Sequence, residues 1–380
     1  MKIAVNTRLL IRNKLEGIGW FTYETLRRIT KSHPEVSFYF IFDRKPDPSF
    51  LFGQNVTPVI ISPQARHPIL FVIWFEWSVM RVLKRIKPDL FLSPDGYLSL
   101  STGTPSLAVM HDLNFEHFPE DLPWLVRLYY RYFFPRFARK ARRIATVSNF
   151  SKEDIIKQYK VEPAKIDVVY NGANEMFKPL SDDIIAKTRQ KFTDGHPYFL
   201  FVGSLHPRKN LARLFQAFDL FRSNNNIEIK LLVAGEKKWW TAPIRKAYEE
   251  MIHKDEIIFC GRLNSSDLHH VTASALAITY VSYFEGFGIP IIEAYRCGVP
   301  VITSNITSMP EVAGDAALLC DPYDIASIAA AMERIASDCD LRNDLIKKGL
   351  ERANSFTWDG AAERLWASIL KAIEDKKAKR

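Results

Sequence analysis

The chain has 380 residues and a formal net charge of +9, enough length for two domains of roughly 150–200 residues each. Its 47% hydrophobic and 25% charged residues are the balance of soluble globular proteins. No window supplies the ~18–20 apolar residues that a membrane-spanning helix needs; the longest apolar run, Ile69–Met80, already contains Glu76.

The opening MKIAVNTRLL lacks the long apolar stretch and small-residue cleavage site of a signal peptide and reads as a first strand, so a cytoplasmic location is expected. Further strands are predicted at Ser37–Phe42, Leu90–Leu92, Ser106–Met110, Arg143–Val147 and Ile166–Val169, where β-branched and aromatic residues cluster. Longer amphipathic stretches predict helices at Trp20–Thr30, Ile69–Lys87, Trp124–Ala141 and Lys152–Gln158. The polar, turn-rich stretch Asn174–Pro197 then reads as a linker. The alternation starts afresh after it: strand Tyr198–Val202, helix Leu211–Arg222, strand Glu228–Ala234, helix Ala242–His253, strand Ile257–Cys260, helix Asp267–Ala275, strand Leu276–Val281, helix Pro290–Cys297 and strand Val299–Thr303. Strands alternating with helices mean parallel sheets covered on both faces. Two such domains leave a cleft, and such sheets bind ligands at the carboxyl ends of their strands. A charged tail, Glu374–Arg380, closes the chain.

Cys260, Cys297, Cys320 and Cys339 form no CxxC pair, so buried thiols in a reducing compartment are expected over disulfides or a zinc site. The positive charge points to nucleotides, nucleic acid or acidic lipid as partners.

Four segments could carry chemistry. In Thr279–Glu293 a strand runs into the turn Glu285-Gly286-Phe287-Gly288-Ile289, and Pro290 suits a helix start. Glycines let backbone approach a ligand, the first helical N–H groups attract phosphate, and Glu293, one turn further, can accept both hydroxyls of a ribose. Taken alone, the segment equally fits a loop whose helix-start acid answers the macrodipole. In Phe201–Asn210 a strand leads through Gly203, Ser204, Arg208 and Lys209 to a helix with Asn210 at its N-cap. Two cations beside a helix start suit a diphosphate, although Arg-Lys before a helix is also ordinary surface chemistry. His111 follows an apolar strand and would face the cleft, or simply cap the strand end. Gly17 and Gly19 permit close ligand approach, but no third glycine completes a dinucleotide fingerprint. The chain has no GxxxxGK[ST], HExxH or GxSxG element. Its one Asp-x-Asp, Asp338/Asp340, sits beside a surface-type helix, so no metal site is expected.

Together these segments resemble the retaining family-4 glycosyltransferases of the GT-B fold over nearly the whole chain. The likeness is strongest in Thr146–Ser151, Val168–Gly172, Val202–Leu211 and Ala277–Asp321, and the most specific element is Glu285-x7-Glu293. The resemblance implies an α/β protein with two Rossmann-like, doubly wound domains facing a central cleft. Residues 1–178 would form the acceptor-side domain and 195–355 the nucleotide-sugar domain, with a last helix in 356–380 crossing back to the first. It implies Glu293 on the donor ribose, Glu285 near the donor sugar, the backbone of Phe287–Ile289 on sugar and diphosphate with Gly286 in the same substrate site, and Lys209 on the diphosphate. Ser204 stands where many relatives carry an arginine, and Arg208 is assigned the missing charge. His111 would contact the donor sugar, Gly17 and Gly19 would lie near acceptor and diphosphate, and Gly261 and Leu263 beside the base. The implied reaction is retaining, metal-independent hexosyl transfer without a resident cofactor, from a nucleotide-diphosphate sugar (GDP-mannose is favoured) to a glycan or lipid-linked acceptor in cell-surface polysaccharide synthesis. A sugar-nucleotide epimerase and a catalytically silent, membrane-associated scaffold are the alternatives.

Trp124–Arg143 holds seven Arg/Lys and no Asp or Glu, interleaved with aromatics. That composition suits an anionic membrane surface, hence peripheral association with the inner face of the cytoplasmic membrane; a core-packing helix with a solvated basic face fits as well. No nucleic-acid-binding module is recognisable, and none is expected as a partner.

Overall fold

The computed structural model describes residues 1–225, 227–236 and 240–377; the end of the charged tail, residues 378–380, lies outside them. Two compact units divide the chain, one made of Met1–Asn171 with Trp358–Arg380, the other of Gly172–Thr357.

The first unit carries strands β1 (Lys2–Asn6), β2 (Ser37–Phe42), β3 (Val56–Ile60), β4 (Leu90–Ser93), β5 (Ser106–Met110), β6 (Arg143–Thr146) and β7 (Ile166–Val168). They pair in parallel in the order β3-β2-β1-β4-β5-β6-β7. The second unit carries β8 (Tyr198–Val202), β9 (Lys230–Ala234), β10 (Ile257–Gly261), β11 (Ala277–Tyr280), β12 (Val301–Ser304) and β13 (Leu318–Cys320). These are also parallel, in the order β10-β9-β8-β11-β12-β13. Both orders reverse direction once, between β1 and β4 and between β8 and β11, as in doubly wound nucleotide-binding sheets. Central strands such as β5 and β12 are buried along their whole length, because helices cover both faces; hence they read as unbroken apolar runs rather than as alternation.

Several elements escape the sequence reading. β3 is V-T-P-V-I; its proline argues against a strand, yet the strand lies at the sheet edge, where a missing N–H costs no ladder bond. The stretch read as a linker contains the helix Asp182–Thr193. Its Arg189 Nε donates to the Ser274 carbonyl at 3.0 Å and its Lys191 pairs with Asp267 at 3.1 Å, so it belongs to the second unit and the crossover falls earlier, at Asn171–Gly172. The apolar helix read at Ile69–Lys87 is three consecutive pieces, Pro68–Val72, a π-helical Ile73–Val79 and Met80–Ile86. Its lone acid is accounted for: Glu76 accepts from the Leu100 and Ser101 amides and the Ser101 hydroxyl at 2.6–2.9 Å.

Helix Trp124–Lys140 divides its aromatics between two faces. Tyr129, Phe134 and Phe137 are buried, whereas Trp124, Leu128 and Tyr132 are 62, 56 and 53% exposed. The last helix, Trp358–Lys377, packs within the first unit: Asp359 pairs with Arg28 at 2.5 Å, Trp366 stacks on His33, and Ser368 and Lys371 bond Asp167. All four cysteines are free thiols, but only Cys297 and Cys320 are buried; Cys260 is half-buried and Cys339 exposed. Asp338 caps the helix Cys339–Ala353 by accepting from the Leu341 amide at 2.8 Å. Among the described residues no helix is long and apolar enough to cross a membrane.

Candidate active site

Two strand–loop–helix connections meet at the reversal point of the second sheet. β8 leads through Gly203 into the short turn Pro207–Lys209 and the helix Leu211–Asn224. Its neighbour β11 leads through residues 281–288 into the helix Ile289–Arg296. Gly288, at φ +105°, starts that helix in a conformation L side chains rarely adopt, with Pro290 in its first turn. The Ser308 hydroxyl donates to the Glu285 and Phe287 carbonyls at 2.8 and 3.1 Å and pins the turn. Gly235, after β9, lies so close to the Gly203 carbonyl oxygen that a Cβ there would collide with backbone.

Asn210 holds the N-cap position of helix Leu211–Asn224 but does not cap it. Its backbone is left-handed, φ +62°, and its side-chain amide donates instead to the Val281 and Pro322 carbonyls at 3.0 and 2.7 Å. It thereby ties the β8 loop to the β11 loop. The Tyr283 amide donates to the Arg208 carbonyl at 2.8 Å, a second tie.

These ties bring unlike charges together. Lys209 Nζ lies 2.5 Å and an Arg208 guanidinium nitrogen 2.9 Å from the same oxygen, Oε1 of Glu285. Lys209 also donates to the Tyr280 hydroxyl at 2.6 Å, and Arg208 to the Phe284 carbonyl at 3.0 Å. Burial alone would raise the Glu285 pKa; the Arg208 and Lys209 charges outweigh it and bring it down to about 2. Burial and the Glu285 charge push Tyr280 well above the ordinary phenol range, so its hydroxyl stays protonated. Glu293 differs. It sits half-buried in the helix Ile289–Arg296, its carboxylate meets no hydrogen-bond or ion-pair partner among the described residues, and desolvation raises its pKa to about 7. One carboxylate is thus saturated with cations, and the next can still accept hydroxyl donors.

Of the sequence candidates, the second unit gathers Ser204 (exposed), Arg208, Lys209, Glu285, Gly286, Phe287, Gly288, Ile289 and Glu293 on the adjacent ends of β8 and β11. Gly261, at φ +64°, and Leu263 stand at the end of β10, two strands beyond β8; the Gly261 carbonyl accepts from the Gly235 amide at 2.8 Å. The other three belong to the first unit. Gly17 and Gly19 open the helix Gly17–Ser32, with nothing near a Cβ at Gly17 and the Leu15 side chain 3.1 Å from one at Gly19. His111 follows β5; its Nε2 lies 2.9 Å from the Pro94 carbonyl and its ring meets Phe21 edge-on at 5.0 Å. Burial lowers its pKa, favouring the neutral ring. Tyr280, Gly235 and Ser308 escaped the sequence reading. A signal for Gly235 existed: a glycine directly follows β8 and β9 and ends β10, at 203, 235 and 261.

Two doubly wound parallel sheets are the architecture of GT-B glycosyltransferases. WaaG, a glycosyltransferase involved in lipopolysaccharide biosynthesis, has this fold, with a TM-score of 0.73 at 17% identity over 97% of this chain and 99% of that one. So has Anabaena HepE, solved in complex with UDP and glucose, with a TM-score of 0.74 at 18% identity over 97% and 99%.

Residues 15–176 match the family described as Glycosyltransferase Family 4 and residues 183–352 the Glycosyl transferases group 1 family, and the chain belongs to these glycosyltransferases. An O-antigen chain mannosyltransferase B of Escherichia coli is 33% identical over 220 residues, covering 58% of this chain and 58% of that protein. The match thus spans little more than half the length of that relative.

Proposed function

We propose that this chain is a retaining hexosyltransferase that moves mannose from GDP-mannose to a hydroxyl of a glycan or lipid-linked acceptor in cell-surface polysaccharide synthesis. The observation that carries the reading is the contrast at the carboxyl ends of β8 and β11: two cations converging on one point and, one turn into the helix after β11, a carboxylate that can accept a sugar's hydroxyls. A nucleotide-diphosphate sugar presents both complements, a dianionic bridge and a ribose diol. The mannose assignment draws on the likeness to the O-antigen mannosyltransferase, and the nucleotide draws support from HepE with UDP and glucose. Family membership disfavours an epimerase.

In the reaction the bond between the anomeric carbon and the diphosphate breaks and positive charge grows on the sugar. Arg208, Lys209 and the first N–H groups of helix Ile289–Arg296 stabilise the departing diphosphate, a contribution of ~10²–10³ in rate for one preorganised donor. They supply the counter-charge a divalent cation provides elsewhere, so transfer needs no metal or further cofactor. The acceptor hydroxyl attacks the same face and gives its proton to the leaving phosphate, leaving no protein base to assign. Glu293 holds the ribose, Glu285 and His111 contact the sugar, and Ser204, Gly261, Leu263 and the backbone of Gly286–Ile289 line the nucleotide and sugar. Gly17 and Gly19 lie beside the acceptor. The exposed face of helix Trp124–Lys140 meets anionic lipid at the inner face of the cytoplasmic membrane.

The test is a panel of sugar nucleotides assayed for thermal stabilisation and hydrolysis in EDTA. GDP-mannose should raise the melting temperature and be cleaved to GDP, with other donors weaker. A panel in which no nucleotide-diphosphate sugar stabilises or reacts would defeat the proposal.

A further inference from the structure

Glu285 and a diphosphate require the same two cations. Arg208 and Lys209 both end on Oε1 of Glu285, at 2.9 and 2.5 Å, and Lys209 and Glu285 are only 8 and 6% exposed. A buried ammonium beside a half-buried guanidinium is repelled by it and would be costly without a partner. The carboxylate offsets that cost by neutralising one of the two charges. Tyr280 completes the cradle from below: its hydroxyl accepts from Lys209 at 2.6 Å and its ring lies 4.7 Å from the ammonium. The charge of the trio is +1, that of the cations without Glu285 is +2.

We propose that Glu285 is the resident counter-ion of the diphosphate site, which occupies Arg208 and Lys209 until an incoming diphosphate displaces it. The inference rests on the donor-site reading above and adds a direction to it. Binding exchanges one anion for another on the same cations, so the donor's affinity is a difference rather than the whole attraction. The displaced carboxylate swings on the loop before helix Ile289–Arg296 toward the sugar end, where a negative charge opposes the cationic anomeric carbon. After transfer, the return of Glu285 to Arg208 and Lys209 drives out the product nucleoside diphosphate. A purely structural salt bridge predicts the opposite effect of its removal, since loss of a positioning contact weakens binding.

The experiment titrates inorganic pyrophosphate and GDP calorimetrically into the wild type, Glu285→Gln and Arg208→Ala/Lys209→Ala, with circular dichroism checking the fold. Glu285→Gln should bind both probes more tightly, by about tenfold on Coulombic grounds, and show a correspondingly lower product-inhibition constant with a reduced kcat. The double alanine variant should bind both at least tenfold more weakly. Weakened binding in the double variant with unchanged or weaker binding in Glu285→Gln would overturn the counter-ion inference and leave the donor site standing. Unchanged pyrophosphate affinity in the double variant would overturn the donor site itself. Should Glu285→Gln fail to fold, Glu285→Asp carries the test: it keeps the charge but withdraws it by one methylene, so tighter binding than wild type supports the inference and equal or weaker binding ends it.

Discussion

Glu285 and Glu293 are eight residues apart and chemically identical, yet their surroundings pull them in opposite directions. Glu285 is buried against Arg208 and Lys209, whose charges bring its pKa down to about 2; Glu293 is half-buried with no cation on its carboxylate among the described residues, and desolvation raises its pKa to about 7. For Glu293 the folded value lies above the ordinary 4.5, so the group favours the fold fully below pH 4.5 and loses that contribution as pH rises through 7. Replacing Glu293 by Gln should therefore raise the melting temperature at pH 8 and leave it unchanged near pH 4.5. Binding runs the other way. The ionised carboxylate accepts the ribose hydroxyls, so at pH 8 Glu293→Gln should lose ~1–3 kcal/mol of GDP affinity, two weakened charge-assisted hydrogen bonds. The ratio of the two affinities should shrink as pH falls toward 5.5 and the wild-type carboxyl protonates. A ratio independent of pH, measured by calorimetry, would remove Glu293 from the ribose site.

At the scale of elements, helix Trp124–Lys140 serves two surroundings at once. One side inserts Tyr129, Phe134 and Phe137 into the core of the first unit. On the other stand Trp124, Arg127, Leu128, Arg131, Tyr132, Arg136, Arg139 and Lys140, all exposed and none acidic. Arg136 lies over the Tyr132 ring at 3.6 Å, a cation–π contact that keeps charge and aromatic side by side. Exposed basic residues contribute ~1 kcal/mol each near an anionic leaflet, and salt screens them. The wild type should therefore sediment with phosphatidylglycerol vesicles at low salt, release at 0.5 M salt on the order of a threefold shorter Debye length, and ignore neutral vesicles. Arg127→Glu/Arg131→Glu should abolish sedimentation without changing the fold, since both side chains point away from the core. Equal, negligible pelleting with anionic and neutral vesicles would dismiss the membrane surface.

For the whole molecule, the chain leaves the first unit after Asn171, builds the second from Gly172 to Thr357, and returns to complete the first. The returning helix buries Trp358, Leu365, Ile369 and Ala372 to 5% exposure or less. Its polar side is tied down at Asp167, whose pKa burial would raise but bonds from Arg143, Ser368 and Lys371 bring below the ordinary value. Losing the burial of three large apolar side chains, at ~1.5–3 kcal/mol each, costs an amount comparable to a domain's whole stability of ~5–15 kcal/mol. A chain ending at Thr357 should therefore fail to fold its first unit, while 172–357 alone should remain folded. Limited proteolysis with mass spectrometry would read this as a protected fragment starting near Gly172; protection of both units in the truncated chain would contradict it.

Sequence alone determined the alternation of strand and helix and the two doubly wound sheets, because these depend on local periodicity and on glycine at strand ends; Arg208, Lys209, Glu285 and Glu293 were singled out through the family resemblance, and the fold brings them to the adjacent ends of β8 and β11. It misjudged what depends on neighbours. β3 was hidden by Pro58, harmless only because the strand lies at an edge, and helix Asp182–Thr193 looked like a linker because its anchors, Ser274 and Asp267, are some eighty residues away. Asn210 reads as a helix cap, but two carbonyls of distant loops compete for its amide and win. The tertiary structure alone decided that Glu285 is spent on Arg208 and Lys209 while Glu293 is not. Charge and desolvation act through space, and which carboxylate meets a cation is set by the order of β8 and β11 in the sheet.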